Sequence, residues 1–137
     1  MGLTAAKDLK KNLAAIPERR HMNTSYYFSK LINPATMNLI GISQSIPKYL
    51  KGKIRVYKPL CPPWSLVSAS KEGEITELQY EKEYTSTILN TLNPEKVYQE
   101  LGHDAVLLCW ERPEKFCHRH IIAKWLSTNL AVQVIEL

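Results

Sequence analysis

The sequence predicts an α/β fold: a single three-layer domain with a mostly parallel sheet and flanking helices. Residues 105–108 form a short, wholly apolar run, as expected for a strand buried on both faces of a parallel sheet. After residue 117, apolar side chains recur at helical spacing and predict a helix that covers the sheet. Residues 131–135, which are apolar except for Gln133, then form a terminal strand that completes a strand–helix–strand unit.

Length and composition predict how the chain is divided. With 137 residues, 45% of them hydrophobic, it can bury one substantial core. We therefore expect one domain over residues 22–137, preceded by an N-terminal extension or leader at residues 1–21, in which residues 5–15 favour a short helix. The sequence has no run of 18 apolar residues and no signal peptide pattern, so we expect a cytoplasmic protein with no membrane partner. Three cysteines are too few to form a disulfide framework, which agrees with a reducing compartment.

Local patterns place the elements before the apolar strand. Residues 24–28 are β-branched and aromatic enough for a first strand, and residues 39–43 predict a second. Both are expected beside residues 106–109 in the sheet. Residues 54–57 predict an edge strand whose alternate side chains face water. The proline-rich residues 59–64 are expected to be irregular, with Cys61 and Trp64 as a possible wall over the site.

Two helices are predicted before the apolar strand, and a turn after the last helix. Apolar positions at helical spacing indicate a long helix over residues 75–92. Asn93 as N-cap and Pro94 in the first turn predict a second, short helix, for which Gly102 is the C′ residue. Asn129 is expected in the turn that leads to the final strand.

The net charge of +5 is unevenly distributed along the chain. Residues 22–71 carry seven Lys and Arg and no acid, whereas residues 72–100 carry seven Glu and two Lys. A basic and an acidic region are therefore expected if these segments fold onto different surfaces.

Residues 47–58 interleave five cations with two tyrosines. This pattern is typical of nucleic-acid binding, in which cations contact phosphates and bases stack on aromatic rings. A solvated edge strand explains the same pattern without a ligand. The candidate ligand-binding residues of this segment are Lys51, Lys53 and Arg55.

The candidate site is the turn between the apolar strand and the last helix. Open α/β folds bind ligands at the carboxyl ends of their strands, so we expect a crevice there. Cys117, in the first turn of the helix and beside basic residues, is the candidate nucleophile, because such surroundings lower the pKa of a thiol. Glu111, directly after the strand, is the candidate general acid or base. Cys109 is the third candidate catalytic residue.

Cations at the start of this helix indicate an anion site. Arg119 and His118 lie near the positive end of the helix dipole, which costs roughly 0.3–1 kcal/mol per charge. An anion bound by free backbone amides and by Arg119 would relieve this conflict. Neutralisation by Glu111 and Glu114 is the alternative. Ser43, at the end of the second strand, is expected to reach the same crevice, with a plain surface loop as the alternative.

The same side chains allow three other interpretations. Cys109, Cys117, His118 and His120 have suitable donor types for zinc, but no C-x2-C or H-x3-H pair exists, so we expect no metal and no cofactor. A redox-active disulfide between Cys109 and Cys117 is the second interpretation. In the third, the cysteines are small buried apolar side chains and His118 is structural.

The central turn resembles the motif of the domain-of-unknown-function family 488. The resemblance depends on residues 107–111 and 117–119, which read LLCWE and CHR. It extends over roughly residues 22–137 through three weaker segments, which are TSYYFS at 24–29, GIS at 41–43 and the spacing Tyr80-x3-Tyr84-x3-Ile88. The resemblance implies a small intracellular α/β domain without an established activity, so no catalytic role can be transferred from it.

These observations favour recognition, and in an enzyme also processing, of a phosphate-bearing ligand such as a nucleotide or nucleic acid. The sequence leaves open whether the domain is an enzyme. The alternative is a non-enzymatic interaction module whose basic and acidic faces bind a protein or nucleic-acid partner. A Cys117→Ser variant separates the two, because a catalyst loses turnover while a binding module keeps its activity.

Overall fold

A computed structural model describes residues 20–137, so the predicted leader helix at residues 5–15 lies outside the described residues. The described part contains five strands and four α-helices. The strands are β1 (His21–Tyr26), β2 (Asn38–Gly41), β3 (Arg55–Val56), β4 (Ala105–Cys109) and β5 (Gln133–Glu136). The α-helices are α1 (Trp64–Lys71), α2 (Glu77–Thr87), α3 (Pro94–Leu101) and α4 (His118–Leu130). Three short 3-10 helices lie at Lys48–Leu50, Lys58–Leu60 and Leu89–Thr91.

The five strands form one parallel sheet in the order β3-β2-β4-β1-β5. Strand β4 is central, and all five of its residues are buried. It pairs with β1 on one side, where Cys109 lies opposite Tyr26, and with β2 on the other, where Leu108 lies opposite Gly41. The predicted α/β fold is therefore confirmed, as is the placing of the first two strands beside the apolar strand.

The two faces of the sheet are covered differently. Leu107 and Cys109 face the larger core, to which all four α-helices contribute. Val106 and Leu108 face a smaller core, which Leu50 and the loops on that side cover. The strand order explains this division. The connections from β1 to β2 and from β2 to β3 move toward one edge of the sheet, whereas those from β3 to β4 and from β4 to β5 move toward the other edge. Since connections between parallel strands are nearly always right-handed, the first two connecting segments lie on one face of the sheet and the last two on the other.

Capping side chains define the helices that support the sheet. Helix α2 begins with a capping box, in which the amide of Gln79 donates to the hydroxyl of Thr76 at 3.1 Å and the amide of Thr76 donates to the Gln79 side chain at 2.7 Å. The Asn93 side chain accepts bonds from two amides of α3, and Pro94 is the first residue of that helix. Gly102 follows with φ of 91°. The predicted start and end of α3 are confirmed.

The strands differ from the predictions by one to three residues at their ends, and three of the helices differ as follows. Helix α1 begins at Trp64, where only an irregular segment was predicted. Helix α2 starts at Glu77 rather than Ile75 and ends at Thr87, and a 3-10 turn replaces the rest of the long helix predicted to residue 92. Helix α4 continues through Asn129, and Ala131, in the left-handed region with φ of 55°, makes the turn instead.

Within residues 20–137, no helix has both the length and the apolar character that crossing a membrane requires.

Candidate functional site

Two thiols and an imidazole form a buried cluster where β4 ends and α4 begins. Cys109 is the last residue of β4, Cys117 is the N-cap of α4, and His118 is its first residue. The two Sγ atoms are 2.6 Å apart, and both cysteines are free. The Nδ1 atom of His118 lies 3.6 Å from the sulfur of Cys109 and 3.7 Å from that of Cys117. The structure thus brings together three of the predicted site residues.

The backbone of Cys117 explains why adjacent residues point to the same place. Its φ of −155° and ψ of 146° are extended, so Cys117 lies outside the helix that His118 begins. Side chains of consecutive residues within one helix diverge, but this pair converges on Cys109.

The imidazole of His118 is oriented by β2. Its Nε2 atom lies 2.6 Å from the carbonyl oxygen of Ile42, just after the end of β2. A carbonyl can only accept, so Nε2 carries the proton, and in the neutral ring the Nδ1 lone pair faces the two sulfurs. The ring also packs 5.6 Å from that of Tyr84. His118 therefore presents an acceptor to the thiols.

Glu111 lies beside the cluster. The Cys109 thiol donates to its carboxylate at 3.1 Å. The neighbouring thiol of Cys117, together with burial, raises the pKa of Cys109 well above its usual value. Cys109 therefore stays protonated in the free protein.

These groups line the floor of a pocket with a volume of about 410 Å³. This volume lies within the range of small-molecule sites, roughly 300–1,000 Å³. Its walls combine aromatic side chains, hydroxyls and one lysine. The main wall residues are Ser43, Gln44, Ser45, Trp64, Ser70, Lys71, Tyr80, Trp110 and Phe116.

The wall from β2 is held by internal hydrogen bonds. Ser43 is buried, contacts the hydroxyl of Tyr27, and donates to the carbonyl oxygen of Ser45 at 2.7 Å. The indole of Trp110 donates to the same carbonyl at 2.9 Å. Ser43 thus lines the crevice, with its hydroxyl already engaged by protein groups.

Arg119 is not placed as the anion-site prediction required. It has no exposed surface and is absent from the pocket lining. Its guanidinium donates to both carboxylate oxygens of Glu136 at 3.1 and 2.9 Å, and to the backbone carbonyl of Glu111 at 2.8 Å. The prediction that Arg119 binds an anion directly is therefore corrected. The charge of Arg119 at the helix start is balanced by Glu136 of β5.

The basic segment lies apart from the pocket lining. Lys51 and Lys53 are exposed, and neither lines the pocket. The guanidinium of Arg55 donates to the backbone carbonyls of Glu100 and Leu101 at 2.9 and 2.6 Å, where it binds the C-terminal end of α3. Arg55 thus has a structural partner in the fold, whereas the two lysines project outward.

Several pocket residues were not predicted from the sequence. Lys71 belongs to α1, which has no clear apolar stripe, so the sequence carried no signal for it. Trp110 directly follows β4, and its position at the strand end was a usable signal. Trp64 lines the pocket as expected, whereas Cys61 does not.

A row of exposed rings extends from the pocket toward the basic segment. The ring of Phe28 lies 6.0 Å from that of Trp110 and 5.9 Å from that of Tyr49. All three side chains are at least 39% exposed. The row thus links a pocket wall to the residues around Lys51.

Comparison with known proteins identifies the family but no individual relative. No curated protein and no solved structure matches the chain. The family model described as "Active DUF488-N3 subclade" matches residues 33–130, which include the whole buried cluster. Since this match covers most of the chain and agrees with the motif resemblance, the chain belongs to the DUF488 family.

Proposed function

We propose that the domain binds a phosphate-bearing ligand of the nucleotide class in this pocket and that the cluster at the pocket floor processes it. One observation carries the proposal: reactive side chains and aromatic walls meet in a single pocket at the carboxyl end of the central strand. The family match is to a subclade described as active, which agrees with a reactive floor.

The walls suit a flat heterocycle with an attached anion. Trp64 and Trp110 are partly exposed and, with Phe116, offer ring faces on which a base can stack. Lys71 is the cation among the lining residues, and Ser70 beside it offers a hydroxyl. A base between the rings and a phosphate at Lys71 would use both halves of the pocket.

The floor suits proton transfer and nucleophilic attack. In the proposal, Cys117 is the nucleophile, and the Nδ1 atom of His118, 3.7 Å from its sulfur, accepts the thiol proton. Glu111 acts as general acid or base on the ligand. Cys109 stays a thiol that donates to Glu111. Arg119 acts as a positioning residue through its bond to the Glu111 carbonyl.

Calorimetry with a mononucleotide, the matching nucleoside and inorganic phosphate tests the binding half. We expect Lys71→Ala to weaken the mononucleotide about tenfold, because one charged contact to phosphate is worth about 1.4 kcal/mol. Nucleoside affinity should be unchanged. Lys53→Ala, also a removed lysine but outside the pocket, is the matched control. If no mononucleotide binds, or if both variants weaken it equally, the pocket is not the ligand site.

The processing half is tested by the two cysteine variants. Cys117→Ser should retain ligand and lose turnover, whereas Cys61→Ser, which removes a buried thiol outside the pocket lining, should keep both. Full turnover in Cys117→Ser would exclude the thiol as nucleophile.

Single-stranded nucleic acid is a second candidate ligand, favoured by the row of rings from Trp110 through Phe28 to Tyr49. Successive bases stack on such rings while nearby cations contact the backbone. Lys51→Ala with Lys53→Ala should reduce the salt dependence of oligonucleotide binding by close to two phosphate contacts. An unchanged salt slope would leave the free nucleotide as the ligand.

A further inference from the structure

We propose that Cys109, Cys117 and His118 bind a zinc ion at the floor of the pocket, with the fourth coordination position facing the ligand space. The donor atoms of these three residues lie within 4.8 Å of one another, and all three residues are buried and line the pocket. Two thiolates and one imidazole are a donor set that zinc favours. This inference goes beyond the proposed ligand and does not depend on it.

Two of the three distances between the donor atoms agree with tetrahedral coordination of a zinc ion. Zn–S bonds of about 2.3 Å and Zn–N bonds of about 2.05 Å put sulfur and nitrogen about 3.6 Å apart. The observed separations between His118 and the two sulfurs are 3.6 and 3.7 Å. The two sulfurs of a tetrahedral site lie about 3.8 Å apart, against 2.6 Å here. Binding therefore requires the thiols to separate by about 1 Å, which small rotations of two side chains supply.

His118 has the second contact that metal-binding histidines usually have. Its Nε2–H is held by the carbonyl of Ile42 at 2.6 Å, which fixes the ring and leaves Nδ1 free to bind an ion. A disulfide between the two cysteines is the competing use of this pair, and once formed it would leave Nδ1 of His118 with neither a thiol proton to accept nor an ion to bind. The histidine therefore favours the ion.

The spacing along the chain does not predict this site. Neighbouring ligands at 117 and 118 are unusual, because side chains of adjacent helical residues diverge. The extended backbone of Cys117 removes that objection, as it places the residue before the helix.

A bound ion would change the chemistry of the proposed function. Cys117 would be a ligand rather than a nucleophile, and Glu111, which contacts the Cys109 sulfur but lies outside the compact three-donor group, would be the remaining acid or base. Zinc would supply Lewis acidity at the ligand space.

Cobalt titration of the reduced, chelator-treated protein tests the site without any nucleotide. We expect one equivalent of Co²⁺ to bind with thiolate-to-metal charge-transfer bands and the visible spectrum of a tetrahedral ion, and Zn²⁺ to displace it. Cys109→Ser and His118→Gln should weaken binding at least about tenfold. Cys61→Ser is the matched control and should bind normally.

A second measurement avoids the risk that a variant of a buried residue fails to fold. In the wild-type protein, Zn²⁺ should slow alkylation of Cys109 and Cys117 but not of Cys61, as read by mass spectrometry. The proposal is overturned if the reduced protein binds no Co²⁺, if Cys61→Ser loses the spectrum as well, or if Zn²⁺ protects no thiol. A protein that binds nucleotide but no metal would overturn this inference alone.

Discussion

Replacing Arg119 with methionine should destabilise the fold by about 3 kcal/mol. The side chain is fully buried and donates three hydrogen bonds, two of them to Glu136. Removing one partner of a buried ion pair costs about 3–5 kcal/mol, because the other charge is left without compensation. The Glu136 side chain is 25% exposed, so water partly replaces the lost partner and the lower figure applies. At roughly 3–5 °C per kcal/mol for a domain of this size, the melting temperature should fall by about 9–15 °C.

Urea denaturation followed by circular dichroism measures this loss. The matched control is the double variant Arg119→Met with Glu136→Gln, which removes both charges and should recover part of the stability. Nucleotide affinity of the folded Arg119→Met protein should fall less than that of Lys71→Ala, since Arg119 does not line the pocket and acts on it only through Glu111. A loss below about 1 kcal/mol, or a double variant no more stable than the single one, would refute the assignment of Arg119 as a structural cation.

Three further predictions concern stability. Burial is the largest single influence on Glu136 and opposes its ionisation, but the hydrogen bonds from Arg119 and Thr24 and the nearby positive charge together outweigh it and lower the pKa of Glu136 below its usual value. This contribution is therefore fully present above pH of about 4.5 and is lost as the pH falls through the lowered pKa, so Glu136→Gln should flatten the acid limb of a stability–pH curve. Asn93→Ala removes the acceptor for two amides of α3 and should cost about 1 kcal/mol in urea denaturation; an unchanged midpoint would contradict the capping role. Gly41→Ala places a methyl group 3.0 Å from the hydroxyl of Tyr27 and should cost about 1–3 kcal/mol; thermal unfolding at the wild-type temperature would show that the contact relaxes freely.

Local signals were enough to predict most of the fold. The strand over residues 105–109 follows from its apolar run, and α3 from the side chain of Asn93 and the ring of Pro94. Helix α1 could not be found in this way. Leu66 is its one buried residue, so α1 lacks the apolar stripe by which a helix is recognised in a sequence.

The sequence places the candidate site at the turn after β4, and the structure adds contacts there that no local pattern indicates. The turn from Cys109 to His118 holds the reactive groups, as the motif indicated. The partner of Arg119 is Glu136, 17 residues further along the chain, and their contact depends on the parallel pairing of β5 with β1. No short-range pattern reports such a pairing. Lys71 was missed for a related reason, because it lies on the unpredicted α1.

The central position of β4 in the sheet limits which part of the pocket can move when a ligand binds. Strand β4 has a neighbouring strand on each side and a hydrophobic core on each face. The floor of the pocket at its end can therefore move only if the sheet itself opens. Helix α1, by contrast, has one buried residue, Leu66, and is expected to open locally at a lower free energy than β4. Amide hydrogen exchange should therefore be slowest in β4 and much faster in α1.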